Sequence, residues 1–157
     1  MQFGVSLFCQ NFDDWGRFLS NGFDKPPADP DYKMYDEDLA LGELIEPLGY
    51  DSIWSVEHHF TPYTMVPNVL QFLAHIAART EKVALGTMVM VLPWHDPIRV
   101  AEQLAMLDVM TKGRRLILGF GRGAARREYD GLRIPMGEAT DRFVEAHEIV
   151  RLSLSQE

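Results

Sequence analysis

Apolar residues along the chain fall into two alternating kinds of segment: short runs of strand length, and longer stretches with apolar positions at helical spacing. The clearest run, Val83 to Leu92, is nearly unbroken and rich in Val and Met. It is too short to cross a bilayer and predicts a strand buried on both faces, as parallel sheets require. Pro93 ends it. Asp96 then offers an N-cap carboxylate, and Pro97 suits the first helical position, where its missing N–H costs nothing. Val100, Ala101, Leu104 and Leu107 follow at helical spacing, and Gly113 stops the helix. Leu116 to Phe120 is a second strand that runs into Gly121-Arg122-Gly123. Strand, helix, strand in this span is a βαβ unit with parallel strands.

The same rhythm extends in both directions. Gln2 to Phe8 predicts a first strand. Asn11 to Tyr35, rich in Asp, Gly and Pro, reads as a long connection: a lid or substrate loop, or a surface insertion. Asp36 predicts the cap of a helix carrying Leu41, Leu44, Ile45 and Leu48 on one face and ended by Gly49, with Pro47 a misfit in its last turn. Ser52 to Glu57 reads as a second strand leading into His58-His59-Phe60, and Asn68 as the cap of a helix that buries Val69, Leu73, Ile76 and Ala77. A polar, arginine-rich stretch follows Gly123. The last helix spans about Ala139 to Leu154, with Phe143, Ala146 and Val150 inward. Four βα units in series predict an α/β fold with a parallel sheet and helices outside, as a single domain over residues 1–157. Two architectures fit the pattern. One is half of a (β/α)8 barrel, which typically takes about 250 residues; the other is an open doubly wound sheet of four strands.

Charge changes this picture locally. The net charge of −8 argues against a nucleic-acid partner for the surface as a whole. Between Lys112 and Arg133, however, seven basic residues face only Glu128 and Asp130. Most of those arginines read as a solvated loop. Arg122, flanked by glycines at a strand end, suits a small anion such as a phosphate. Cys9 is the single cysteine, so an internal disulfide is excluded and a reducing compartment fits. With no basic lead, no long apolar leader and no stretch of about 20 apolar residues, the expected setting is the cytoplasm, away from membranes.

Ligands gather at the carboxyl ends of parallel strands. Four clusters sit there: Cys9 to Asn11, Glu57 to His59, Pro93 to Asp96, and Gly121 to Gly123. Glu57-His58-His59 is the tightest. An imidazole beside a carboxylate can transfer protons near neutrality, can be a hydrogen-bonded structural group, or can ligate a metal. The metal reading is strained, because adjacent strand residues point to opposite faces and the two histidines would not converge on one ion. GFGRG at Gly119 to Gly123 lacks the GxGxxG spacing of a dinucleotide fold, yet permits close backbone approach to a flat or phosphorylated ligand. Trp54, Phe60, Trp94 and Phe120 line a pocket for a planar ring or belong to the ordinary core. The six methionines from Met65 to Met136 read as gap fillers.

Several of these stretches, in this order, carry a resemblance. EHHF at Glu57 to Phe60, GTMVMVLPWHDPIRVAEQ at Gly86 to Gln103, LDVMTKGRRLILGFGRG at Leu107 to Gly123 and REYDG at Arg127 to Gly131 resemble the bacterial-luciferase-like family of flavin-dependent monooxygenases. The resemblance implies a (β/α)8 TIM barrel of which this chain holds about the first four units, the amino-terminal part. It implies reduced flavin mononucleotide (FMN) as cofactor, with the deazaflavin F420 in some branches. It also implies molecular oxygen and a small organic molecule as substrates, and a flavin reductase as the supplier of reduced flavin. His58 matches an active-site base or proton donor, and Glu57 a strand-end carboxylate beside the flavin. Met88 and Val89 match a pair joined by a non-proline cis peptide under the ring system, Arg122 an arginine near the flavin phosphate, and Glu128 an acidic residue on the mobile loop after the fourth strand. Gly121 stands where luciferase carries a reactive cysteine, which excludes thiol chemistry there. A half barrel leaves two sheet edges open, so pairing is expected with a second copy or with a chain supplying the other half. Other readings are a non-catalytic flavin-binding or assembly subunit, an F420-dependent oxidoreductase and, more distantly, a metal-dependent barrel hydrolase.

Overall fold

The four apolar runs are the four strands of one sheet in a computed structural model that describes residues 1–20 and 29–155. They are β1 (Gly4–Leu7), β2 (Ser52–Ser55), β3 (Ala84–Val91) and β4 (Leu116–Gly121). All neighbours pair in parallel, and the order β1-β2-β3-β4 follows the chain. A doubly wound sheet reverses direction from its first strand. Here each strand is added beside its predecessor, as in a barrel wall. Six helices accompany the strands: α1 (Phe12–Ser20), α2 (Asp31–Ile45), α3 (Val69–Ala77), α4 (Pro97–Met110), α5 (Arg126–Leu132) and α6 (Ala139–Ser155).

Period-two alternation sorts the strand residues onto two faces. Leu7, Ile53 and Leu85 join the core with Val69, Leu73 and Ile76 of α3, Val100, Leu104 and Leu107 of α4, and Ala146 and Val150 of α6. The opposite face is built around Trp54. Its indole occupies the space that side chains would need at Gly4 and Gly86, where an added Cβ would lie 2.6 and 2.3 Å from the ring. The β3–β4 register shifts between Thr87 and Met90, around a cis peptide joining Met88 to Val89. Thr87 bridges the interruption: its hydroxyl donates to the Gly119 carbonyl at 2.8 Å and accepts the Gly119 N–H at 2.9 Å.

The locally encoded caps form as expected. Asn68 Oδ1 accepts the Gln71 N–H, and Asp96 Oδ1 accepts the Arg99 N–H, each at 3.0 Å. Four expectations need correction. The Asn11–Tyr35 stretch is not a plain loop, because it contains α1 and the first turn of α2, while residues 21–28 lie outside the described residues. α2 begins at Asp31 behind Pro30, whose extended backbone stops the helix from starting earlier, and not behind Asp36. The arginine-rich stretch after Gly123 holds α5, which turns Glu128 and Tyr129 fully inward. Of the methionines, Met90 fills the core, whereas Met88, Met106 and Met110 are exposed. Among the described residues no helix is long and apolar enough to cross a membrane.

Candidate active site

β2 ends at Ser55, two residues before the motif read as its end. Glu57, His58 and His59 therefore lie on the loop beyond the strand, where backbone direction is no longer set by a ladder. The loop is fixed by polar contacts. Glu57, with its side chain shielded from solvent, accepts hydrogen bonds from His59 Nε2 at 3.0 Å, His95 Nε2 at 2.6 Å and the Val91 N–H at 2.8 Å. Burial alone would raise the Glu57 pKa. The hydrogen bonds from His59 and His95, the charge of His95 and the Val91 amide outweigh that, and hold the carboxyl below its ordinary value.

The two histidines of the motif answer to different carboxylates. His58 Nδ1 lies 2.9 Å from Glu128 Oε1, which also accepts the His59 N–H at 2.9 Å. Glu128 sits on α5, fully buried, not on an open loop. α5 is held in turn by Tyr129, whose ring meets Trp94 edge-on at 5.5 Å and whose hydroxyl donates to the Arg122 carbonyl. Phe60 lies against Gly131 of the same helix, where an added Cβ would come within 2.3 Å of the ring. Loop and helix thus clamp one another at three successive residues.

A cleft of about 440 Å³ opens at this end of the sheet, walled by Glu57, His58, Met88, Val89, Arg122 and Glu128 among others. Six of the seven residues singled out in the sequence meet there. The seventh, Gly121, stands behind the wall: a Cβ at this position would lie 2.5 Å from Val89 Cγ2. Gly123, at φ +73°, brings the backbone close, since a Cβ would meet Trp94 at 2.8 Å and Val91 at 2.9 Å. A mostly apolar cleft with a bare backbone turn and an exposed arginine at its rim fits a planar ring carrying a phosphate. Among the described residues no group of His, Cys, Asp or Glu is arranged to hold a metal. Two further members of the site carry little local signal: His95, whose signal is its place in the Pro93–Asp96 strand-end cluster, and Tyr129, which the sequence sets in an arginine-rich stretch.

Comparison with known proteins gives the family and the fold. A family model described as luciferase-like monooxygenase matches residues 14–157. The chain is 38% identical over 98 residues to the oxygenase component of a flavin-dependent trigonelline monooxygenase from Acinetobacter baylyi, covering 62% of this chain and 27% of that protein. It is 32% identical over 144 residues to limonene 1,2-monooxygenase from Rhodococcus erythropolis, covering 92% of this chain and 36% of that one. The crystal structure of monooxygenase RslO1 from Streptomyces bottropensis superposes with a TM-score of 0.81 at 34% identity, over 96% of this chain and 42% of that chain. The chain thus spans about a third of the length of the curated relatives it matches.

Proposed function

The chain belongs to the luciferase-like monooxygenase family, and on that premise we propose that it builds the histidine-bearing part of an active site that uses reduced flavin and molecular oxygen to oxidise a small organic molecule. FMN is the flavin this reading favours, because Arg122 stands exposed at the rim of the cleft where a terminal phosphate would lie. The observation that carries the proposal is the His58–Glu128 pair on the wall of a cleft lined by Met88, Val89 and Arg122.

The chemistry assigned to these residues is proton handling. Glu128 Oε1 already accepts the His59 amide, so the facing His58 Nδ1 is the donor. The neutral ring then carries its lone pair on Nε2 and can take a proton there and return it, as a general base and acid do. Glu57 is assigned a positioning role: its two oxygens are engaged by three donors, and it fixes His59, His95 and the end of β3 around the cleft. Met88 and Val89 offer an apolar floor, and Arg122 a phosphate partner. The bound reduced flavin would supply the electrons and the place where oxygen is activated. The relative named as an oxygenase component supports a separate reductase as the source of reduced flavin. A second copy, or a chain carrying further strands, is the partner the open sheet edges call for; a clean monomer on size exclusion would remove that part.

The test is an anaerobic titration with reduced FMN, followed by admission of air. Saturable binding and a flavin reoxidation that departs from that of free flavin are expected, with His58→Ala retaining binding and losing about 10²–10⁴-fold in substrate turnover. Binding without turnover would make the chain a flavin-holding assembly subunit, and preference for F420 would move it to hydride transfer. Failure to bind either would overturn the proposal.

A further inference from the structure

His58 borders a second cleft, of about 480 Å³, which has Phe18, Tyr35, Phe60, Pro62 and Met65 in its walls and Asp14 and Asp31 among its polar groups. Its roof is α1, an amphipathic helix that buries no residue completely. An aromatic ladder joins that roof to the imidazole. Phe18 stacks on Trp15 at 5.4 Å, Trp15 leans on Tyr63 at 5.4 Å, and Tyr63 meets His58 edge-on at 6.1 Å. From the other side, the Arg127 guanidinium of α5 lies 4.8 Å from the Phe18 ring centre. The helix that holds Glu128 against His58 is therefore also fastened to the roof.

We infer that this second cleft is the substrate seat, and that it takes a flat, ring-bearing organic molecule without an anionic group. The inference rests on the function proposed above and specifies its substrate class. A ring inserted among Phe18, Tyr35 and Phe60 gains face and edge contacts, each worth a small factor in affinity, while His58 waits at the shared wall. The two carboxylates decide the charge. Among the described lining residues the charged side chains are the carboxylates of Asp14, paired with Arg17, and Asp31, which accepts from the Asn11 amide at 3.1 Å, and none is a lysine or arginine, so a carboxylate or phosphate entering would meet like charge there. The opposite preference holds in the first cleft, where Arg122 stands.

Two tryptophans report on the two clefts separately: Trp94 lines the first, and Trp15 stacks on the roof of the second. The experiment follows their indole N–H signals by NMR, told apart from each other and from Trp54 through Trp15→Phe and Trp94→Phe, while the chain is titrated in turn with p-cresol, benzoate and reduced FMN. p-Cresol should shift the Trp15 signal saturably, benzoate should leave it unmoved at equal concentration, and FMN should act on Trp94. Phe18→Ala should weaken p-cresol about 2- to 10-fold with FMN binding unchanged. Equal binding of benzoate and p-cresol, or a p-cresol response confined to Trp94, overturns the inference. Loss of the FMN response alone overturns the cofactor reading and leaves the ring seat standing.

Discussion

Replacing Glu57 by Gln tests whether the buried carboxylate is the hub described above. The shape is retained, but one oxygen becomes an NH2 group that must face either the Val91 N–H or the two imidazole Nε2 atoms. The first choice buries donor against donor, at about 1–3 kcal/mol. The second turns the NH2 towards two imidazole Nε2 atoms, which must change tautomer to accept from it and, being partly open to water, recover some of the loss. The cheaper orientation sets the cost, about 1–3 kcal/mol, which for a domain of this size lowers Tm by roughly 2–12 °C. The pH dependence gives an independent check. Because the folded pKa is depressed, the carboxylate's contribution is complete above its unfolded pKa of about 4.3 and disappears as pH falls through the folded value. Thermal unfolding followed by circular dichroism should therefore show a wide gap between the two proteins near neutrality, narrowing in acid. A Tm within about 2 °C of the parent at neutral pH, together with lost turnover, would refute the hub and make Glu57 a proton-transfer group; so would a gap that ignores pH.

Four further outcomes are expected. Glu128→Gln should lower kcat by about 10- to 100-fold and change the pH profile of kcat/KM while flavin still binds, because it disturbs the tautomer of His58 without removing the ring; an unchanged profile would separate the two residues. Arg122→Ala should weaken FMN by about tenfold and leave riboflavin, which lacks the phosphate, nearly unaffected, as equilibrium titration would show. Gly123→Ala should cost about 1–3 kcal/mol, since it adds a clash with Trp94 and Val91 to a left-handed backbone, and a denaturation midpoint equal to the parent would contradict it. Burial, reinforced by Asp38, pushes the Cys9 thiol up; the native chain should resist a disulfide reagent at a pH near the ordinary thiol value of about 8.5 and react once unfolded.

What could be read from the sequence was whatever a few adjacent residues determine. Asn68 and Asp96 cap the helices they precede, and Val100, Leu104 and Leu107 are buried at the spacing that announced them. The pattern failed where tertiary contacts outrank local composition. α1 looked like loop because its short apolar stripe of Phe12, Trp15 and Leu19 is interrupted by Gly16 and set in a stretch rich in Asp, Gly and Pro. α5 looked like a solvated arginine run, and only its docking on Trp94 and His58 explains why Glu128 and Tyr129 turn inward. The strand-end cluster at Glu57 to His59 was visible, and so was the conflict between the two histidine directions. Their division between Glu128 and Glu57 was not, because the partners stand 70 and 2 residues away and nothing in spacing ranks one over the other.

The order of the sheet bears on how the chain acquires its shape during synthesis. Every strand pairs with the one that left the ribosome just before it, and none is inserted between two older strands. Each connection is a long crossover running through a helix, so a strand can pair only after the intervening helix has been made, and the closure cost is met one connection at a time. The nascent sheet can therefore lengthen at one margin while its earlier strands are already settled. The outer margin of these four strands is β4, whose Gly121 backs onto Val89 behind the cleft, so the fourth strand also supports the floor around Val89.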